Sequence, residues 1–82
     1  MQPDIRAIFG THLAALRRSK GWSQEKLALE SGLARSYLAG VERGRRNISL
    51  INICVLADTL GLPPSRMLDF ETSPSNKTTN EE

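Results

Sequence analysis

Apolar residues recur along this chain at helical spacing. Ile5, Ile8, Phe9, His12, Leu13 and Leu16 fall on the i, i+3, i+4, i+7, i+8 and i+11 rows of one helix face. Asp4 stands just before them, where the open N–H groups of a first turn favour negative charge. Arg17, Arg18 and Lys20 close the run, where the carbonyl end favours positive charge. Gly21 stops this first helix. Ser23 offers an oxygen to cap a second. Gln24-Glu25-Lys26-Leu27-Ala28-Leu29-Glu30 consists of strong helix formers, and Ser31-Gly32 ends the run after about two turns. Leu33 opens a third short helix, in which Leu38 and Val41 recur at helical spacing, and Gly44 ends it.

A second capping signal follows at Asn47–Ser49, and Leu50, Ile53, Cys54, Ala57 and Leu60 then form an apolar stripe closed by Gly61. The β-branched density of Ile48–Val55 would also suit a strand. Nothing else in the chain could pair with it, and the helical stripe continues to Leu60, so a fourth helix is expected. Pro63 and Pro64 punctuate, and Ser65–Phe70 is expected to form a last short helix with Leu62, Met67, Leu68 and Phe70 as its apolar set. From Glu71 onward Ser, Thr, Asn, Pro and Glu replace every large apolar residue. The expected organisation is one all-α domain of five helices over residues 1–70 and a disordered acidic tail over 71–82.

Composition narrows the function more than it narrows the fold. With 82 residues, 39% apolar and 24% charged, the chain has the balance of a small soluble domain. No apolar run approaches the ~20 residues that cross a bilayer, and no charged-then-apolar leader opens the chain. A cytoplasmic protein with no membrane partner is expected. The single cysteine, Cys54, cannot close an internal disulfide, and with only His12 beside it the residues for a zinc site or nucleophilic catalysis are lacking. Neither an enzyme nor a metal or other cofactor is expected. The formal charge of +2 conceals an asymmetry: residues 1–70 hold ten Lys/Arg against six Asp/Glu, whereas 71–82 hold one Lys against three Glu. A basic body with an acidic tail favours polyanionic partners.

The segment from Gln24 to Arg43 carries a constellation. Two short helices crossing at a fixed angle need a small residue where they touch, a residue tolerant of positive φ in the turn, and apolar residues at the buried positions. Ala28 meets the first need, Gly32 the second, and Leu27, Leu33, Leu38 and Val41 the third. Six positions thus agree over twenty residues. Ser31 departs from the pattern at a position that is more often apolar.

Ser-Gln-Glu-Lys-Leu-Ala (23–28), the helix Arg35–Glu42 and Glu-Arg-Gly (42–44) resemble the phage-repressor, Cro and xenobiotic-response-element helix-turn-helix family. The segment 35–50, Arg-Ser-Tyr-Leu-Ala-Gly-Val-Glu-Arg-Gly-Arg-Arg-Asn-Ile-Ser-Leu, is further similar to the controller proteins of restriction–modification systems, which regulate their own operon and the endonuclease gene. The resemblance covers roughly residues 5–70. It implies a lambda-repressor-like fold, a sequence-specific regulator of transcription, double-stranded DNA as partner, and a phosphate-gripping Gln24. It also implies that Arg46 approaches bases, and that Arg17 and Glu42 form a partly buried salt bridge orienting the recognition helix.

Residue chemistry adds to these implications. The N-terminal end of the third helix should enter the major groove, where the Arg35 guanidinium can bond O6 and N7 of guanine. Ser36 can reach a base or a phosphate. Tyr37 can touch a phosphate or a thymine methyl, or can simply pack. Ala39 and Gly40 offer almost no hydrogen bonding, so direct readout should be sparse and DNA shape should supply part of the specificity. The start of the second helix, at Ser23 and Gln24, favours an anion independently. Arg43, Arg45 and Asn47 lie in a basic loop suited to the sugar-phosphate backbone.

Arg18, Lys20 and Arg66 read as solvated surface charge, Trp22 as a cap on the core, His12 as a core-edge residue and Cys54 as a small apolar one. The fourth helix needs only one face for the core, and Leu50, Ile53, Leu56, Ala57 and Leu60 can supply it. Ile51, Val55, Leu62, Met67 and Phe70 are then surplus, which predicts a symmetric homodimer interface matched to a palindromic operator. Bound at a promoter, such a dimer would block or recruit RNA polymerase. Two other readings stay open: a phage-type repressor or the antitoxin of a toxin–antitoxin pair, and a protein-interaction module that uses the fold without DNA.

Overall fold

The computed structural model describes residues 4–71. Four α-helices and a 3-10 turn follow in chain order: α1 (Ile5–Ser19), α2 (Gln24–Ser31), α3 (Arg35–Glu42), α4 (Leu50–Leu60) and the turn Pro64–Leu68. Local chemistry sets most of the boundaries. Asp4, Ser23 and Ser49 each accept a hydrogen bond on the side chain from a backbone N–H of the first turn, belonging to Arg6, Lys26 and Asn52 respectively. Gly32 ends α2 in the left-handed region at φ 79°, where a side chain would cost about 1–2 kcal/mol.

One expectation changes among the elements. The predicted fifth helix is a 3-10 turn of five residues, so the architecture has four α-helices. Pro63 and Pro64 supply no backbone N–H at its start, and the turn is closed by i→i+3 bonds, from Arg66 N–H to the Pro63 carbonyl and from Asp69 N–H to the Arg66 carbonyl. No strand occurs among the described residues; the β-branched segment enters α4 through its Ser49 cap. Of the predicted acidic tail, only Glu71 falls within the described residues, and 72–82 lie outside them.

The core draws on every element. Phe9, Leu13 and Leu16 come from α1, Leu27 from α2, Leu38 and Val41 from α3, Leu56, Ala57 and Leu60 from α4, and Met67 from the 3-10 turn. Met67 is therefore a correction to the predicted subunit interface: it is wholly buried within its own chain and has no surface for a partner. Leu62 and Phe70 also pack, half-buried, against this core, whereas Ile51 is 75% exposed. Leu50 moves the other way. It shares a helix face with Ala57, but it sits in the first turn of α4 and is 73% exposed. Cys54 is exposed as well.

α1 and the end of α3 approach each other at backbone distance. Ala7, Gly10, Ala14 and Arg17 occupy one row of α1 at spacings of three and four residues. Gly10 lies directly beneath the carbonyls of Val41 and Glu42, and a Cβ at Gly10 would stand 2.6 Å from the Glu42 oxygen. Gly44 meets the same row, since a Cβ there would stand 2.8 Å from Ala7 Cα. Gly10→Ala should therefore destabilise the protein by about 1–3 kcal/mol in urea unfolding, because the obstacle is backbone. The roughly 1 kcal/mol that Ala gains over Gly in a helix would dominate only if this approach were loose. A neutral or stabilised variant would contradict the close packing.

Candidate nucleic-acid interface

α2 and α3 are joined by a turn whose polar groups the chain itself satisfies. Gly32 N–H bonds the Ala28 carbonyl at 2.9 Å, and the Ser31 hydroxyl both donates to that carbonyl and accepts from Leu33 N–H. The departure from an apolar residue at Ser31 is thus a hydroxyl closing the turn. Leu38 and Val41 fasten α3 to the core. On the other side, Arg35 and Ser36 are exposed. Ala34 supplies no side-chain cap, which leaves the first-turn N–H groups of α3 open.

Of the roles open to Tyr37, the structure describes packing. It is half-buried against the core, and its hydroxyl accepts a 3.1 Å hydrogen bond from Asn52 Nδ2 on α4. Its ring carries the Arg46 guanidinium at 5.7 Å from the centroid. A Cβ at Gly40 would stand 3.0 Å from Arg46 Cγ, so the missing side chain at 40 is what lets Arg46 lie across α3. Gly40 and Asn52 were not among the predicted site residues. A glycine inside a helix costs about 1 kcal/mol against Ala, and that cost is the available hint of a close approach.

The loop after α3 turns sharply, with Gly44 N–H on the Val41 carbonyl and Arg45 N–H on the Gly40 carbonyl. Arg43, Arg45, Arg46 and Asn47 are all exposed. Arg35, Arg43, Arg45 and Arg46 have no carboxylate partner among the described residues. At the start of α2, the Ser23 oxygen is occupied by its capping bond, and Gln24 Nε2 donates to Glu42 Oε1 at 2.9 Å. Trp22 packs against the core with the ammonium groups of Lys20 and Lys26 each 5.3 Å from its ring centroid, and His12 Nε2 lies 2.8 Å from the Arg66 carbonyl.

Behind this surface Arg17 and Glu42 meet in fork geometry. Arg17 Nε donates to Glu42 Oε2 at 2.7 Å and Nη2 to Oε1 at 2.9 Å, while Nη1 donates to the Trp22 carbonyl at 2.7 Å. The two side chains are only 9% and 6% exposed. Burial pushes the Glu42 carboxyl up, but hydrogen bonds from Arg17 and Gln24 and the charges of Arg17 and Arg18 outweigh it, and the net shift is downward. Hydrogen bonding to Glu42 raises Arg17 against its own desolvation.

The direction of the shift sets a pH window. A depressed carboxyl stabilises the fold fully above its unfolded value, here 4.5, and loses that contribution as pH falls through the lower folded value. Wild-type stability should fall more steeply between about pH 5 and pH 3 than that of Glu42→Gln, which cannot titrate at this site. At neutral pH the same variant should be less stable by roughly 3 kcal/mol, since it leaves a buried guanidinium unpaired. Parallel pH curves for the two proteins would remove the pair from the acid response.

Among the described residues no group of three His, Cys, Asp or Glu is assembled, and no helix is long and apolar enough to cross a membrane. The chain matches the helix-turn-helix family over residues 13–67. It is 47% identical to control protein C.BamHI of Bacillus amyloliquefaciens over 73 residues, covering 88% of this chain and 90% of the relative. The crystal structure of the restriction–modification controller protein C.AhdI from Aeromonas hydrophila is similar with a TM-score of 0.74 at 53% identity, covering 76% of this chain and 94% of that one. SinR, a master regulator for biofilm formation solved in complex with DNA, is similar with a TM-score of 0.70 at 31% identity, covering 74% and 98%.

Proposed function

Because this chain belongs to the helix-turn-helix family, as a DNA-binding transcriptional regulator close to the restriction–modification controllers, we propose that it binds an inverted-repeat operator as a homodimer and autoregulates a restriction–modification operon. The observation that carries this reading is the set of cations on α3 and the loop behind it, at 35, 43, 45 and 46, exposed and with no carboxylate partner among the described residues. A module that only bound proteins would have no need of them. Arg35 reads guanine in the major groove, Ser36 and Tyr37 contact neighbouring edges, and Arg46, laid over the Tyr37 ring, reaches the adjoining bases. Ser23, Gln24, Arg43, Arg45 and Asn47 hold the sugar-phosphate backbone, Ser23 through its hydroxyl hydrogen and Gln24 through the carboxamide N–H not given to Glu42.

The homodimer reading rests on exposed apolar surface. Ile51, 75% exposed, and the half-buried Val55 form its centre, and Leu50, Ile5 and Leu68, each more than half exposed, extend it. A groove of about 410 Å³ lined by Ile5, Phe9, Ile48, Ile53, Leu68 and Phe70 opens beside them. Twofold pairing there would set two copies of α3 about 34 Å apart, one helical turn of DNA. RNA polymerase then becomes the protein that a bound dimer blocks or recruits.

Selection of duplexes from a random DNA pool tests this reading. The wild-type chain should enrich an inverted repeat. Arg35→Ala should lose about 1–3 kcal/mol of discrimination, about 5- to 150-fold, at one guanine per half-site while retaining salt-sensitive binding. Enrichment of a single half-site would remove the dimer, and no enrichment at all would remove sequence recognition.

A further inference from the structure

A cleft of about 240 Å³ lies between α1, the start of α2 and the end of α3, lined by Thr11, Ala14, Arg18, Gln24, Glu42 and Arg43. Neither Arg18 nor Arg43 has a carboxylate partner among the described residues. Glu42 is the one carboxylate on the cleft wall. Its charge is already matched by the fork from Arg17, its oxygens also hold Gln24 Nε2, and its side chain is only 6% exposed. The wall is therefore net positive, with one guanidinium from α1 and one from beyond α3. Thr11 adds a hydroxyl and Gln24 a second carboxamide N–H.

Arg18 makes no side-chain hydrogen bond or ion pair among the described residues, and its part in the fold is its charge near Glu42. Its neighbour Arg17 makes the buried contacts, and in the sequence Arg18 reads as a solvated charge. Its place in a polar concavity beside Arg43 gives it another use. Guanidinium groups bind phosphate oxygens in fork geometry, and two of them converging on a cleft suit a single tetrahedral anion. We propose that this cleft receives one phosphate of the DNA backbone, held by Arg18 and Arg43 with Thr11 and Gln24 as neutral donors, so that the C-terminal half of α1 belongs to the DNA-binding surface. The proposal rests on the operator-binding reading above and adds to it an interaction from α1. A phosphate held between α1 and the end of α3 carries no sequence information, but it fixes how α3 sits in the groove.

The test uses the full chain and a duplex carrying the selected inverted repeat, with backbone phosphates replaced one at a time by uncharged methylphosphonate. Wild type should lose affinity at one phosphate per half-site to which Arg18→Gln is indifferent. The slope of log K against log salt should fall by about 0.9 for each phosphate no longer neutralised, and affinity for selected and random duplexes should drop by the same factor. Arg66→Gln removes the same charge from the 3-10 turn and should leave both scan and slope as in wild type. Identical scans for wild type and Arg18→Gln overturn the proposal, as do equal effects of the two substitutions, which would mean general electrostatics. So does inorganic phosphate that perturbs the Arg18 and Gln24 resonances without DNA while the scan stays unchanged, since the cleft would then serve a free anion. Absence of salt-sensitive DNA binding by wild type is a different failure and removes the operator reading itself.

Discussion

The seating of α3 on α1 is the constraint from which the rest of the interface follows. A helix of eight residues is marginal in water on its own, so its direction must come from what it touches. Leu38 and Val41 anchor one side in the core, and Gly10 lets the terminal carbonyls of α3 approach α1 at backbone distance. Arg17 then closes the arrangement by gripping Glu42 and the Trp22 carbonyl together, which ties the end of α3 to the connection leading into α2. A buried ion pair of this kind is poor evidence of net stability, because desolvating two charges offsets much of their attraction. Its geometric effect is clearer: the C-terminal end of α3 is fixed and the N-terminal end, with Arg35 and Ser36, faces outward.

The same scaffold arranges the loop that follows. Gly44 must be small to pass Ala7, and Gly40 must be small for Arg46 to lie across the helix onto Tyr37, whose hydroxyl is held from α4. Two glycines and an asparagine thus shape a surface that consists mainly of arginine. Gln24 is similarly shared, giving one N–H to the ion pair that orients α3 and keeping another beside the cationic cleft. A side chain that orients the helix thus also lines the proposed DNA-binding surface.

The local half of this structure was legible in the sequence, and the non-local half was not. Asp4, Ser23 and Ser49 announce helix starts because capping is a bond between neighbours in the chain, and Gly32 announces the turn because left-handed backbone excludes most residues. Leu27, Leu38 and Val41 were identifiable as core from spacing. Nothing in the spacing joins Arg17 to Glu42, twenty-five residues on; family resemblance implied that pair. Gly10, Gly40 and Asn52 act through partners on other elements, so their roles emerge only once helices are packed. The misplacements of Leu50 and Met67 share this origin. Periodicity tells which residues share a face, but not where along the helix the neighbouring element stops or which residues of the short final segment turn inward.

The central claim is that DNA is held by the exposed end of α3, the start of α2 and the loop behind α3, all positioned by the α1 seat. Backbone amide chemical shifts of the full chain, followed by NMR as a selected duplex is added, test it directly. The account predicts the largest changes at residues 23–24, 35–37 and 43–47, with the face of α4 around Ile51 unaffected beyond dimer formation. Changes concentrated on α4 and the 3-10 turn, with α3 undisturbed, would contradict it.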